Sequence, residues 1–205
     1  MRNLLINGLA LAATVTISTI ILYRIVFLGG AGEFGLVGVF LAALFSHLTV
    51  VGRELFIPVF LPFTAIYHPI LLGVLAGLGG ALGETATYYL GVSISEIVEG
   101  GSRDDRISRW IDKYGLLAIL IVAASPLPDT PIILLAGSAR FPLLKFLLIE
   151  IFGKTVWYSV GAFFGGILFT QISNLFGYIL SSLMILIVSI ILCIILLSKR
   201  VRKNL

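Results

Sequence analysis

Six ionisable residues stand in stretches that are otherwise apolar: Arg53, Glu54, Glu84, Asp129, Glu150 and Lys154. Arg140 and Lys145 lie nearer the ends of such stretches. An ionisable side chain at bilayer depth costs roughly 2.5 to 3.5 kcal/mol on insertion scales, so each needs a partner or a task. The formal charges of the first six sum to minus two, and the two further cations bring the set to zero, which suits mutual pairing. Arg53 beside Glu54 reads in two ways. It is either an anion-binding guanidinium next to a protonatable carboxylate, or a chain tip that snorkels to headgroups. Asp129 stands between Pro128 and Pro131. There it caps a helix starting near Thr130 or Pro131, the preferred reading, or binds and releases a proton; the two roles are compatible. Glu150 and Lys154 are four apart, so a local ion pair is favoured over a contact between Lys154 and Glu84.

Other chemistries find no support. His47 and His68 have no carboxylate or cysteine at metal-ligand spacing, so no metal is expected. G-x-S-x-G, P-loop and HExxH patterns are absent, and neither an enzyme nor a cofactor is expected. The single cysteine, Cys193, rules out an intrachain disulfide and a CxxC site.

The elements that must position the charged residues are membrane helices. The 205 residues are 59% apolar and 12% charged, where a soluble domain carries roughly a quarter charged. Runs such as Leu4 to Leu22 and Ser173 to Leu197 are long enough to cross roughly 30 Å of hydrocarbon. The first lacks a small-residue cleavage site before Tyr23 and Arg24, and reads as a retained span rather than a signal peptide. Much of the net charge of +4 comes from Arg103 to Lys113 and from Lys199, Arg200, Arg202 and Lys203. A basic tail directly after a span suits an anionic cytoplasmic leaflet rather than nucleic acid.

Two places break the helices. Pro58 and Pro62 follow Arg53 and Glu54, and Pro126, Pro128 and Pro131 punctuate Ser125 to Pro131. Proline removes a backbone donor and pushes the preceding residue out of helical geometry. The arms beside the second break, Gly115 to Ala124 and Ile132 to Phe141, are each about 15 Å as helix, half a bilayer. Broken backbone at membrane depth requires cover by protein or a watery cavity, so two re-entrant hairpins are expected around a shielded polar cavity. Between the halves, Ser102 with Asp105 resembles a capping box and Gly115 is a plausible stop. Ile107, Trp110, Ile111 and Tyr114 share a face, predicting an interfacial amphipathic helix, with a solvated connector as the alternative.

Gly83-Glu84-Thr85-x-x-Tyr88-x-x-Gly91 recurs as Gly153-Lys154-Thr155-x-x-Tyr158-x-x-Gly161, and the same offset superposes Pro58 on Pro128. A hairpin followed by one span exits on the opposite side, so the second copy is expected to be inverted. Inverted repeats with broken helices are an architecture of secondary transporters. Gly73, Gly77, Gly80 and Glu84 line one helix face, which favours close helix contact. The expected architecture is all-α and polytopic, a single membrane domain over 1–205. It divides into a first span (1–28), repeat A (34–91), an interfacial amphipathic segment (92–114), repeat B (115–170), a last span (173–198) and a basic tail (199–205).

At Gly79-Gly-Ala-Leu-Gly83-Glu-Thr-x-x-Tyr88-x-x-Gly91, Pro126-Leu-Pro-Asp129, Ala136-Gly137 and Gly153-Lys154, the sequence resembles the DedA family, also called the VTT or SNARE-associated Golgi protein family. The resemblance covers roughly 35–170. It implies two facing re-entrant hairpins plus spans, and movement of polyprenyl-phosphate carriers or phospholipids between leaflets. Some bacterial members are linked to proton-motive force and to cationic-peptide resistance. The bacterial second hairpin carries arginines where this chain has Ala123 and Asp129, so the chain is similar to a branch whose second hairpin reads Pro-x-Pro-Asp.

The function expected is therefore a lipid flippase or scramblase of the cell membrane, with proton coupling through Glu54, Glu84 or Asp129 as an option. Its substrate-binding or coupling residues are Arg53, Glu54, Glu84, Asp129, Arg140 and Lys154. The partners expected are membrane lipids with a phosphate-bearing headgroup, and a homo-oligomer is compatible with the sequence. A coupled small-solute transporter and a non-transporting membrane subunit are the alternatives. With both hairpins re-entrant, the amino terminus, residues 92–114 and the basic tail share the cytoplasmic side.

Overall fold

A computed structural model describes residues 35–49, 56, 60–61, 63–64, 66–98, 105–177, 180–181, 184 and 187, without side chains at 105–108, 112 and 173. The spans expected at 1–28 and over most of 173–198, the tail at 199–205, and Arg53, Glu54, Pro58 and Pro62 lie outside the described residues.

The described residues hold helices and no strand: α1 (Gly35–Leu48), α2 (Pro69–Gly83), α3 (Thr85–Val98), α4 (Asp105–Ala123), α5 (Thr130–Ser138) and α6 (Leu143–Phe176). Proline opens two of them, Pro69 in α2 and Pro131 in α5, at first-turn positions where its missing N–H has no intrahelical partner to lose. His68 caps α2, its Nδ1 accepting from the Ile70 amide at 3.3 Å. Across Glu84 the ladder hardly pauses, because the Glu84 amide donates to the Gly80 carbonyl and the Tyr88 amide to the Glu84 carbonyl, each at 3.0 Å. Pro69–Ile97 is thus a nearly continuous apolar rod of 29 residues, and with α6 it is one of two helices among the described residues long and apolar enough to cross a membrane.

Those two rods cross antiparallel, and absent side chains set their separation. A Cβ on Gly73 would lie 2.7 Å from the Ser159 backbone nitrogen, and one on Gly77 would lie 2.7 Å from that of Thr155. The glycine face of α2 therefore lets the α6 backbone into direct contact, as its spacing predicts. The opposite face of α2 meets α1, where a Cβ on Gly79 would sit 2.4 Å from the Phe40 carbonyl oxygen. The face of α6 carrying Leu144, Leu148, Phe152, Phe163, Phe164 and Leu168 is exposed, between 56% and 70% each. Such a continuous apolar stripe belongs in hydrocarbon.

The α4 and α5 helices form a hairpin. The chain turns at 124–129, and Phe141, just beyond α5, returns to α4, its Cε2 3.7 Å from where a Gly115 Cβ would be. Two predicted boundaries are corrected. Gly115 does not stop a helix: α4 runs through it to Ala123, the cost of an interior glycine, about 1 kcal/mol, being offset by room for Phe141. The segment 92–114 is not one unit either, because α3 continues to Val98 and α4 begins at Asp105. Of the predicted amphipathic face, Ile111 is fully buried while Trp110 and Tyr114 stay nearly half exposed, so the core seam is narrower than the spacing suggested.

Two apolar clusters result. One joins α1, α2, α6 and the 56–63 stretch around Phe56, Phe60, Leu72 and Phe169; the other joins α3, α4, α5 and the start of α6 around Tyr88, Ile119, Ile133 and Phe146.

Candidate functional site

The polar centre lies where the rods and the α4–α5 hairpin meet. Glu84 occupies the junction of α2 and α3, about 20 Å along the rod from either end. Asp129 stands at the tip of the hairpin, directly before α5. Glu150 and Lys154 follow one another by a turn on α6, with Lys154 roughly 17 Å from the helix start. None is more than 7% exposed.

The Lys154 ammonium joins them. Its Nζ lies 2.7 Å from Asp129 Oδ2, 2.9 Å from Glu84 Oε1 and 3.8 Å from Glu150 Oε2. The favoured local pair with Glu150 is therefore the longest of the three contacts, and the contact across to Glu84 is made. The small residues explain this: Gly80 leaves space against Lys154 Cδ, so the lysine stem lies against α2 and carries its ammonium toward Glu84. The preferred role of Asp129 is also corrected. It holds the N-cap position, yet its side chain makes no capping hydrogen bond and turns to Lys154 instead. Either bond would be charge-assisted, but the ammonium carries a full opposite charge where a backbone amide carries only a dipole.

Three carboxyls and one ammonium leave a formal charge of minus two when all are ionised. The ligand oxygens of Glu84, Asp129 and Glu150 lie within 4.8 Å of one another, a donor set suited to a hard cation. Lys154 takes the cation's place among them.

The remaining predicted residues lie elsewhere. Arg140 is half exposed and pairs with Glu96 at 3.4 Å. Its φ of 53° places it in the left-handed region, at the turn closing α5. There the Arg140 amide donates to Gly137 and the Phe141 amide to Ala136, the helix ending in which glycine is usual. Arg53 and Glu54, as noted, are not described. His47 and Tyr158 were not singled out for function, yet they adjoin the cluster: Tyr158 Oη lies 2.8 Å from His47 Nε2. The repeat supplied a signal for Tyr158, which occupies the position of Tyr88.

Fold and site together define a helical membrane protein with an ion cluster sealed between its crossing rods and a helical hairpin. The profile of the VTT domain matches residues 56–167. That is more than half of the chain, and the protein belongs to the VTT-domain family, as the resemblance to DedA proteins implied. No curated protein and no solved structure matches the chain.

Proposed function

We propose that the protein is a multi-pass lipid transporter of DedA type, moving a polyprenyl-phosphate or phospholipid between leaflets with the Glu84–Asp129–Glu150–Lys154 cluster as its proton-coupling centre. The buried cluster carries the proposal. A partner-binding subunit needs no ammonium ringed by three carboxyls at the middle of its helices, and such a group is expensive to keep there without a task. Protonation of Asp129 would loosen the tip of the α4–α5 hairpin from Lys154, which links proton uptake to hairpin position. Support for a re-entrant hairpin comes from its apolar arms, Lys113–Ala123 of α4 and all of α5, about 17 Å and 14 Å as helix, each too short to cross a bilayer. The antiparallel crossing of α2 and α6, with Glu84 facing Lys154, supports the inverted repeat. Arg53 is the proposed phosphate contact, since a guanidinium fork holds phosphate oxygens bidentately. The basic tail and residues 92–114 are assigned to the cytoplasmic side.

The test is reconstitution in liposomes with a leaflet assay for labelled lipid phosphates, with and without a pH gradient. The parent protein is expected to move lipid, Asp129→Asn and Glu54→Gln to reduce the rate tenfold or more, and Arg53→Lys to weaken it while keeping the charge. If all three variants moved lipid at the parent rate, the cluster and Arg53 would have no part in transport. A parent protein that moved no lipid in either condition would favour the partner-binding subunit.

A further inference from the structure

Where α2 begins, the outward surface of the two crossing rods is notched. Among the described residues, the groove is lined by residues 68–70, the cap and first turn of α2, and by Ser159, Val160, Phe163 and Phe164 of α6. It encloses about 400 Å³, a volume typical of small-ligand sites. Its origin lies in the glycine face of α2. Gly73 admits the α6 backbone at Ser159, but between Gly73 and the start of α2 there is no further glycine, so side chains hold the helices apart and the groove opens. The walls are apolar and face outward, with Ile70, Val160, Phe163 and Phe164 each between 44% and 61% exposed. Phe163 and Phe164 belong to the stripe of α6 assigned above to hydrocarbon, so the groove is continuous with the lipid-facing surface.

Its depth follows from helix rise. Gly77 lies against Thr155, which marks the level of the neighbouring Lys154 on α2. His68 stands nine residues before Gly77, about 14 Å, close to half of roughly 30 Å of hydrocarbon. Ser159, five residues beyond Lys154, lies about 8 Å from the same level. With the ion cluster at mid-membrane, the groove covers the headgroup-side half of one leaflet's hydrocarbon. Its outer end is polar, because His68 is exposed there. The His68 Nδ1 accepts from the Ile70 amide, which leaves the hydrogen of the neutral ring on Nε2, a donor for a phosphate or ester oxygen.

We infer that this groove binds one membrane phospholipid, its glycerol end at His68 and the upper part of one acyl chain between Ile70 and the rings of Phe163 and Phe164. The inference goes beyond the transport reading. It rests on α2 and α6 lying in a bilayer, since the groove is outside the ion cluster and its occupant does not have to cross the membrane. Phospholipid is the hydrocarbon that the adjoining leaflet presents at this depth, and apolar walls gain dispersion contacts from a chain laid between them.

The test uses the full protein in phosphatidylcholine liposomes with a trace of phosphatidylcholine carrying a diazirine on the upper acyl chain, the labelled residues being mapped after irradiation. Labelling at Ile70, Phe163 and Phe164 should exceed that at Leu148 and Phe152, which face lipid outside the groove, by about fivefold, a preference of roughly 1 kcal/mol. A probe with the diazirine at the chain terminus should lose this preference. Val160→Trp fills the groove from one wall and should lower labelling at Phe163 and Phe164 to the level at Leu148; Ile70→Trp does the same from the other wall if the first variant does not fold. Labelling spread evenly along α6, or unchanged in the tryptophan variant that folds, would overturn the inference. So would loss of the label on adding one polyprenyl phosphate per protein against excess phosphatidylcholine, because the groove would then belong to that lipid. A protein that moves no lipid between leaflets but is labelled in the groove keeps this inference and loses the transport reading; the reverse pattern loses this inference alone.

Discussion

Glu84 and Lys154 occupy the same place in the two copies of one motif, and they carry opposite charges. Everything around them repeats more faithfully: glycine before, threonine after, then tyrosine and glycine at matching steps. In three dimensions the two positions meet at 2.9 Å. A repeat with identical charge at this position would bring like charges together at the crossing. The tyrosines show the same divergence within likeness. Tyr88 is buried beside Phe146 and donates to the Phe141 carbonyl, which fastens the end of the α4–α5 hairpin. Tyr158 sits among Phe56 and Phe60 and shares a hydrogen bond with His47 Nε2. One copy bonds a backbone carbonyl where the other meets an imidazole ring.

The sharpest way to break this comparison is to make the two copies alike. Lys154→Glu would place four carboxyls in one sealed site, and removing the partner of a buried ion pair typically costs about 3 to 5 kcal/mol. The variant should give little folded protein, measured as monodisperse yield and melting temperature in detergent. Exchanging the charges, Glu84→Lys with Lys154→Glu, keeps the formal charge of minus two and should recover much of the loss. If the exchange is no better than the single change, the pair is not held together by its charges alone.

The repeat was visible in the sequence, and so was the glycine face of α2, because both are written in local spacing. The partner of Lys154 was legible only in part, with Glu84 the less favoured of two options. A glutamate four residues before a lysine satisfies the local rule for a helical pair, and nothing in the spacing says that the lysine stem will lie against Gly80 instead. Asp129 misled for a similar reason. Its place before a proline-led helix is that of a cap, whereas its side chain is drawn away by an ammonium from a helix that follows later in the chain. The Gly115 boundary failed because a glycine that admits Phe141 and a glycine that ends a helix look the same in one dimension. What is settled by contact between distant segments was hidden; what is settled within a turn or two was legible.

Two glycines within the second copy offer a further, smaller contrast. Gly153 faces α4, where an added Cβ would lie 2.6 Å from that of Ala123, whereas Gly161 has nothing within 4 Å among the described residues. Gly153→Ala should therefore destabilise by about 1 to 3 kcal/mol through overpacking. Gly161→Ala, in the same helix, should stabilise by roughly 0.5 to 1 kcal/mol, the ordinary gain over an interior glycine. Equal effects from the two would mean that α4 does not press on α6 at Gly153.

The smallest effect is expected at Arg140, where the second hairpin ends. A non-glycine residue in the left-handed region costs about 1 to 2 kcal/mol, and Arg140 holds that conformation with an exposed partner, Glu96, at 3.4 Å. A surface pair of that kind contributes about 0 to 1 kcal/mol. Arg140→Gly thus removes a strain larger than the interaction it loses, and should raise stability slightly, by up to about 1 kcal/mol in detergent melts. Lipid movement then separates two roles for the arginine. If Arg140→Gly is more stable but slower, the guanidinium serves headgroups at the hairpin's end and the strain is retained for that contact. If it is more stable and equally fast, Arg140 belongs with the structural half of the comparison, beside Tyr88.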